Sequence, residues 1–403
     1  MTKSKLFAIY VIVFLIFGVV FYDFIEKQWG FPYVDEILVM LLVVFTVRFY
    51  PKSVIRNKLT FIILFVFAFY TVYSFAIESN VTNAILGDLA IQIKPYLIFC
   101  FTIIFAPRLQ LPEKRIIRKT VIMMLPILIM VALSDSYLPF FGHTARFATA
   151  SIVLSLTYLY ASKFTVKNII ISILILSIGL LSNRAKMYGF WGAFVLILLF
   201  FNSFELKVKL KNIIIAAFSI SIIFWLSYEK LNFYFIQGSQ DTDNLFARPA
   251  LFQGAWEILR DDFPFGSGFG SFATYYSAQY YSPIYYKLGL NTVYGLSSDF
   301  PNFVSDSFLP TLAEFGIIGV LLFFYFWYYI VKKANFYKKH ISQKNVKEYI
   351  LLLLILVFFT IESVADSTFT HNRGVYIMML LGLCFTDLKS QYEYEISNCE
   401  EGE

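Results

Sequence analysis

Long apolar runs alternate with short polar stretches along almost the whole chain. Many approach the ~20 residues that a helix needs to cross a bilayer. The clearest are 6–24, 59–77, 95–106 with an amphipathic lead-in from Thr82, 168–181, 213–228 and 307–330. Shorter or polar-interrupted runs are 37–47, 120–133, 148–161, 187–201, 349–361 and 374–385. Together they predict about twelve transmembrane helices, hence an all-α polytopic membrane protein in which residues 1–403 form one integral membrane domain. Residues 229–305 break the rhythm, and the pattern predicts one large loop there containing short helices.

Charge orients this pattern, because Lys and Arg in short loops are retained on the cytoplasmic side. Basic residues cluster in every second connection, at 48–58, 108–119, 163–167, 207–211 and 332–347 as well as at Lys3, Lys5 and Lys389. Most of the 33 basic residues are placed in this way. Both termini are then expected in the cytoplasm, the tail from 388 to 403 included, with 229–305 outside. The net charge of +6 is accounted for by topology and headgroup attraction, which removes nucleic acid as an expected partner. A composition 59% hydrophobic and 15% charged excludes a soluble class. The first run begins like a signal peptide, but it is long and has no small-x-small site, so it is expected to be retained. Cys100 and Cys384 fall in spans and Cys399 in the tail, which leaves no outside disulfide. The acidic stretch 391–403 reads as disordered.

The informative cations are those that oppose the topology bias. Arg146, Arg184, Arg248, Arg260 and Arg373, with Lys27, Lys94, Lys186, Lys230 and Lys287, are expected outside. Arginine is relatively enriched there, and its planar fork matches a phosphate group in a bidentate manner. Each arginine could equally cap a span or pair with a nearby acid. Arg184 is the most pointed case, because Ser182, Asn183, Arg184, Ala185 and Lys186 are the whole connection between two apolar runs. Two cations held in so tight a turn beside helix termini would suit an anion such as a lipid-linked diphosphate.

The long outer segment has three parts. Apolar positions between Ala247 and Arg260, including Leu251, Trp256 and Leu259, have helical spacing and predict an amphipathic helix on the outer face. A glycine-punctuated turn follows, with Gly266, Gly268 and Gly270 between Pro264 and Phe272. Its spacing is not that of a dinucleotide site. A tyrosine-rich stretch then carries Tyr275, Tyr276, Tyr280, Tyr281, Tyr285 and Tyr286, whose rings suit sugar faces or the interfacial belt. Asp241, Thr242 and Asp243 have the form of a D-x-D metal motif, but so short a pattern arises often by chance, and no metal is expected.

Where this segment ends, Asp306 stands at the mouth of an apolar run and Glu314 lies deeper in it. If the helix begins by Asp306, then Asp306, Pro310 and Glu314 share one face. Asp306 is the better candidate for a base, because it is reachable from outside. Glu314 must find a partner or line a polar cavity. The last outer loop, 363–373, joins Asp366, His371 and Arg373, and His371 could exchange protons near neutral pH.

Taken together, Arg248, Trp256, the Gly266, Gly268, Gly270 and Phe272 pattern, and the later Glu314, Gly316 and Gly319 resemble the O-antigen ligase and polymerase superfamily of bacterial membrane glycosyltransferases. The turn carrying Arg184 is similar to the short arginine-bearing outer loop of that family. The resemblance covers roughly 140–330. It implies a glycosyltransferase-C-like fold in the bacterial cytoplasmic membrane. The implied reaction moves glycan from a polyprenyl diphosphate carrier to a sugar hydroxyl on the outer face, without metal, nucleotide or other cofactor. By residue match, Arg184 and Arg248 neutralise the leaving diphosphate. Arg146, Lys186, Arg373, His371, Glu314 and the three glycines are further substrate-binding candidates. Ligase members place a His-Asn pair nine residues before the helix glutamate, where this chain has Ser305 and Asp306. That departure leaves Asp306 or His371 as base and points to the repeat-unit polymerase branch. A ligase that transfers finished glycan to a lipid or protein is the alternative. A flippase or transporter is a third, with few of the broken helices and midplane charges it would need. Besides the lipid-linked oligosaccharide and membrane lipids, a chain-length regulator or flippase is an implied partner.

Overall fold

The computed structural model describes residues 2–105, 107–201, 246–341 and 346–400. The expected run 213–228, Lys230 and the Asp241 to Asp243 motif lie outside the described residues. Seventeen α-helices are described. The first eleven are α1 (Lys3–Val13), α2 (Tyr22–Trp29), α3 (Val34–Phe49), α4 (Pro51–Arg56), α5 (Lys58–Ala76), α6 (Thr82–Phe105), α7 (Leu111–Leu133), α8 (Tyr137–Phe141), α9 (Thr144–Ala161), α10 (Val166–Ile178) and α11 (Ala185–Phe201). After the undescribed stretch come α12 (Ala247–Asp261), α13 (Tyr275–Gln279), α14 (Ile284–Lys287), α15 (Gly316–Lys339), α16 (Lys347–Ala365) and α17 (Asn372–Glu400). The all-helical class expected from the sequence is therefore observed.

Twelve spans are not confirmed among the described residues. Among the described residues, five helical segments are long and apolar enough to cross a membrane: Lys3–Val20, Lys58–Ala76, Thr82–Phe105, Leu111–Leu133 and Leu309–Lys339. A sixth results if α2 and α3, bent by 117°, are taken as one broken span. Val166–Ser182 and Ala185–Leu199 are apolar but shorter. Among the described residues, the other expected helices form near the expected places, and α9 and α17 among them carry several polar residues. In α9 every residue from Phe147 to Ala161 is buried, and the hydroxyls of Ser155 and Ser172 join it to α10 at 2.9 Å. A helix enclosed by other helices need not present an apolar surface to lipid, so Ser and Thr are accommodated there. α17 packs mainly on α6.

Three local expectations are corrected. The stretch Leu309–Phe315 is a 3-10 helix and α15 starts only at Gly316, so Asp306, Pro310 and Glu314 do not share an α-helical face. The tail is helical as far as Glu400, because Tyr392 packs on Phe336 and Tyr337 and Gln391 reaches Glu348. In α12 the buried face is Ala250, Leu251, Gly254, Ala255 and Ile258, while Trp256 is 70% exposed.

Contacts sort charged groups to two ends of the bundle. Lys114, Tyr160, Lys347, Glu348 and Asp387 meet at the end where basic loops are expected inside. Arg146, Lys186, Arg248 and Arg373 find their partners at the other end. This sorting follows the alternation of the loops, and it is the second end that collects the candidate residues.

Candidate active site

The turn before α11 positions the first two cations. Gly179–Ser182 tightens into a 3-10 turn and Asn183 takes a left-handed conformation, which reverses the chain within a few residues. Arg184 then reaches α9: its Nε donates to Thr144 Oγ1 at 2.6 Å and its Nη2 bonds His143 Nε2 at 2.8 Å. Both partners are uncharged when His143 is neutral, and burial and the Arg184 cation hold the His143 pKa below its ordinary value. Among the described residues no carboxylate lies within ion-pair distance of Arg184. Lys186 behaves differently, binding Glu362 Oε2 at 2.7 Å and Asp366 Oδ2 at 2.6 Å on the far end of α16. Burial opposes ionisation of Asp366, but Lys186 and then His371 outweigh it and hold the carboxyl at about 2.

Arg248 enters from the first turn of α12. Its Nη2 bonds Asp306 Oδ2 and its Nε donates to Ser307 Oγ at 3.2 Å. Ser307 in turn donates to the carbonyl of Val364 at 3.0 Å, and the Phe308 amide donates to the Ser363 carbonyl at 3.2 Å. These bonds place the Arg248 and Asp306 pair beside the Lys186 cluster. Asp306 remains 43% exposed on its side chain, so it is reachable, as expected. Burial and the Asp366 charge push Asp306 above the ordinary carboxylate range against the pull of Arg248.

Two other candidates serve as a brace. Asp23, buried at the start of α2, binds Arg146 at 2.6 Å through one oxygen and Arg373 through the other. Arg373 also donates to the Val19 carbonyl at 2.9 Å and Asn372 to that of Gly18 at 2.6 Å. Those carbonyls end the π-helical stretch Phe14–Val20, where intrahelical donors run out. Arg373 is 3% exposed and stacks on Phe141, whereas the Arg146 side chain is 39% exposed. His371 lies in the same loop, with Nε2 3.1 Å from Ser367 Oγ. Burial and the nearby Arg146 cation lower its pKa to about 4, so it is uncharged at neutral pH.

The glycine turn and Glu314 lie apart from this charged face. Gly266, Gly268 and Gly270 all have positive φ, and every amide from Gly268 to Phe272 is occupied. Gly268 N donates to the Glu314 carbonyl, Phe269 N to Ser74 Oγ, Gly270 N to Asp88 Oδ2, and Ser271 N and Phe272 N both to Glu314 Oε1, all at 2.8 to 2.9 Å. A Cβ on Gly266 would stand 2.2 Å from the Ala313 carbonyl oxygen. The structure thus places the three glycines and Glu314 in a buried hub that joins α5, α6, the loop and the start of α15. Asp88 and Glu314 also lie within hydrogen-bonding reach of each other.

Arg184, Lys186, Arg248, Asp306, Arg146, Arg373 and His371 therefore gather at one end, with Arg184, Arg248, Asp306 and Arg146 the more accessible members. His143, Asp23 and Glu362 are partners that sequence reading missed. Spacing gives no hint of His143. Asp23, like Asp88, stands as a carboxylate in an apolar run, which is the signal that marks a paired intramembrane acid. No group of three or more metal-ligating side chains occurs among the described residues.

The helical bundle, its candidate spans and a cation-bearing end define a polytopic membrane protein. Residues 150–324 match the family model Wzy_C, described as O-Antigen ligase. This part of the chain is thus similar to the domain of O-antigen ligase and polymerase-type membrane enzymes, a family whose members transfer glycans in surface-polysaccharide biosynthesis. The matched segment contains Arg184, Lys186, Arg248, the glycine turn, Asp306 and Glu314. Among curated proteins, nothing matches this chain.

Proposed function

We propose that the protein is a repeat-unit polymerase that transfers glycan from a polyprenyl diphosphate carrier to a sugar hydroxyl on the outer face of the bacterial cytoplasmic membrane. The observation that carries this reading is the pairing of Arg184 with uncharged partners only, among the described residues, at the end of the bundle that also holds Arg248. A guanidinium held in place but not neutralised is ready for an anion. Arg248 is bonded to Asp306. When the donor diphosphate arrives, Arg248 turns from Asp306 to the phosphate oxygens, and the freed carboxylate accepts the proton of the attacking hydroxyl. The bond from the anomeric carbon to the diphosphate oxygen breaks as the new glycosidic bond forms, and the lipid diphosphate leaves between the arginines. Because the diphosphate is already a good leaving group, positioning and charge stabilisation contribute most of the barrier reduction. An apolar groove of about 290 Å³ between α5, α6 and α15 supports the lipid-borne donor. Phe308 lines it two residues from Asp306, so an isoprenoid chain lying there would deliver its head group to the charged face.

The polymerase branch is favoured over ligation by Ser305 and Asp306 at the positions where ligases carry a His-Asn pair. A deletion strain tests the choice. It should accumulate carrier lipid bearing single repeats, whereas long polymer stranded on the carrier would make the protein a ligase.

A further inference from the structure

A second cavity, polar in its lining, lies away from the arginine face, at the opposite end of α12. It measures about 460 Å³ and is bounded by Tyr73, Glu78, Ser267, Asp262 and Lys287 over an apolar floor that includes Ile284. α12 carries Arg248 at its first turn and leads directly into Asp262, and its fifteen residues span about 20 Å. The cavity and the transfer site are thus two ends of one rigid rod.

The hydroxyl hydrogens of Tyr73, Ser267 and Ser271 in this cavity are already committed. Tyr73 donates its hydroxyl hydrogen to the Gly266 carbonyl at 2.8 Å, and Ser271 donates to the Gly268 carbonyl at 2.6 Å. Ser267 lies 2.7 Å from Ser271 Oγ, and with the Ser271 hydrogen used, Ser267 must be the donor. What Tyr73 and Ser267 offer to a ligand is therefore lone pairs. Glu78 adds a carboxylate that has no ion-pair partner among the described residues, from an exposed turn held at φ 53°. Asp262 adds another, 3.5 Å from Lys287. A lining rich in acceptors, with one cation and an apolar floor, suits a ligand with many hydroxyl donors and C–H faces. It does not suit a phosphate, which two carboxylates would repel.

We propose that this cavity is a glycan-holding site, which takes a neutral sugar of the polysaccharide chain while the chain end, or the repeat nearest the carrier, is at the arginines. The identity of the ligand rests on the transfer reaction proposed above. A site a fixed distance from the transfer centre grips the chain only once it is long enough to reach both, so it favours retention of a growing chain over its release.

The test uses full-length protein in nanodiscs and soluble oligosaccharides cut from the source cell's own surface polysaccharide. Glu78→Gln with Lys287→Met changes two exposed side chains and should leave the fold intact. Saturation-transfer NMR should show oligosaccharide binding to the wild type, weakened about tenfold or more in the double variant, as expected for lost charge-assisted hydrogen bonds. Products made from lipid-linked repeats should shift to shorter chains while the first transfer keeps its rate. Equal binding and equal chain lengths in the two proteins would overturn the proposal. So would a cavity that binds calcium in place of the oligosaccharide. The two readings fail separately: wild-type transfer by Arg184→Lys with oligosaccharide still bound at the cavity would remove the diphosphate clamp and leave the glycan site.

Discussion

Asp88 on α6 and Glu314 before α15 meet inside the protein, Asp88 holding one amide of the glycine turn and Glu314 the next two. The two oxygens left over, Asp88 Oδ1 and Glu314 Oε2, are buried without another partner. Two acceptors facing one another in the interior need a hydrogen between them. Glu314→Gln supplies one through its amide, and its stability should stay within about 1 kcal/mol of the wild type, whereas Glu314→Ala strands three groups and should cost about 3 kcal/mol or more. Thermal unfolding of both variants in detergent checks the order. A Gln variant as damaged as the Ala variant would refute the shared hydrogen.

Arg184→Lys and Arg248→Lys keep their charge and lose the planar fork. Each should reduce polymer formation from purified lipid-linked repeats at least about tenfold, because an ammonium cannot reproduce bidentate geometry. Full activity in both variants, read as chain-length ladders, would be incompatible with a diphosphate clamp.

The brace at Asp23 should be a matter of stability. Arg373→Met leaves the buried Asp23 carboxylate with Arg146 alone, and breaking a buried pair in this way costs about 3–5 kcal/mol. Arg146 is half exposed, so Arg146→Met should cost less. Unfolding midpoints measured side by side give the comparison, and equal losses would contradict it.

His371 titrates at about 4 in the folded protein, below its ordinary 6.5. At pH above 6.5 it is neutral in both folded and unfolded states and carries no penalty. As pH falls from 6.5 toward 4, only the unfolded state takes up the proton, so stability drops across that window and levels off below it. His371→Asn should flatten this part of the stability profile, and a profile unchanged by the substitution would show that other groups set it.

Gly266 and Gly289 share a positive φ but differ in surroundings. Gly266→Ala meets backbone at 2.2 Å and should cost about 2–5 kcal/mol, while Gly289→Ala, with nothing within 4 Å, should cost only about 1–2. The contrast is measurable by thermal unfolding and separates crowding from backbone conformation.

The helical class, the sorting of basic loops and the amphipathic α12 were legible in the chain because they depend on local pattern: runs long enough to span, cations at fixed places between them, and apolar positions at helical spacing. Which helices are enclosed was not, since the Ser, Thr and charged residues of α9 and α17 are accommodated only because neighbouring helices surround them. Arg184, Arg248 and Asp306 stood out individually, as arginines and an acid set against the topology. Only the tertiary structure decided that Arg248 pairs with Asp306, that Arg184 rests on His143, and that Arg373 and the three glycines are buried supports. Those pairings join residues from 40 to about 350 positions apart. No local pattern encodes which helix ends meet, because the packing of the whole bundle sets that.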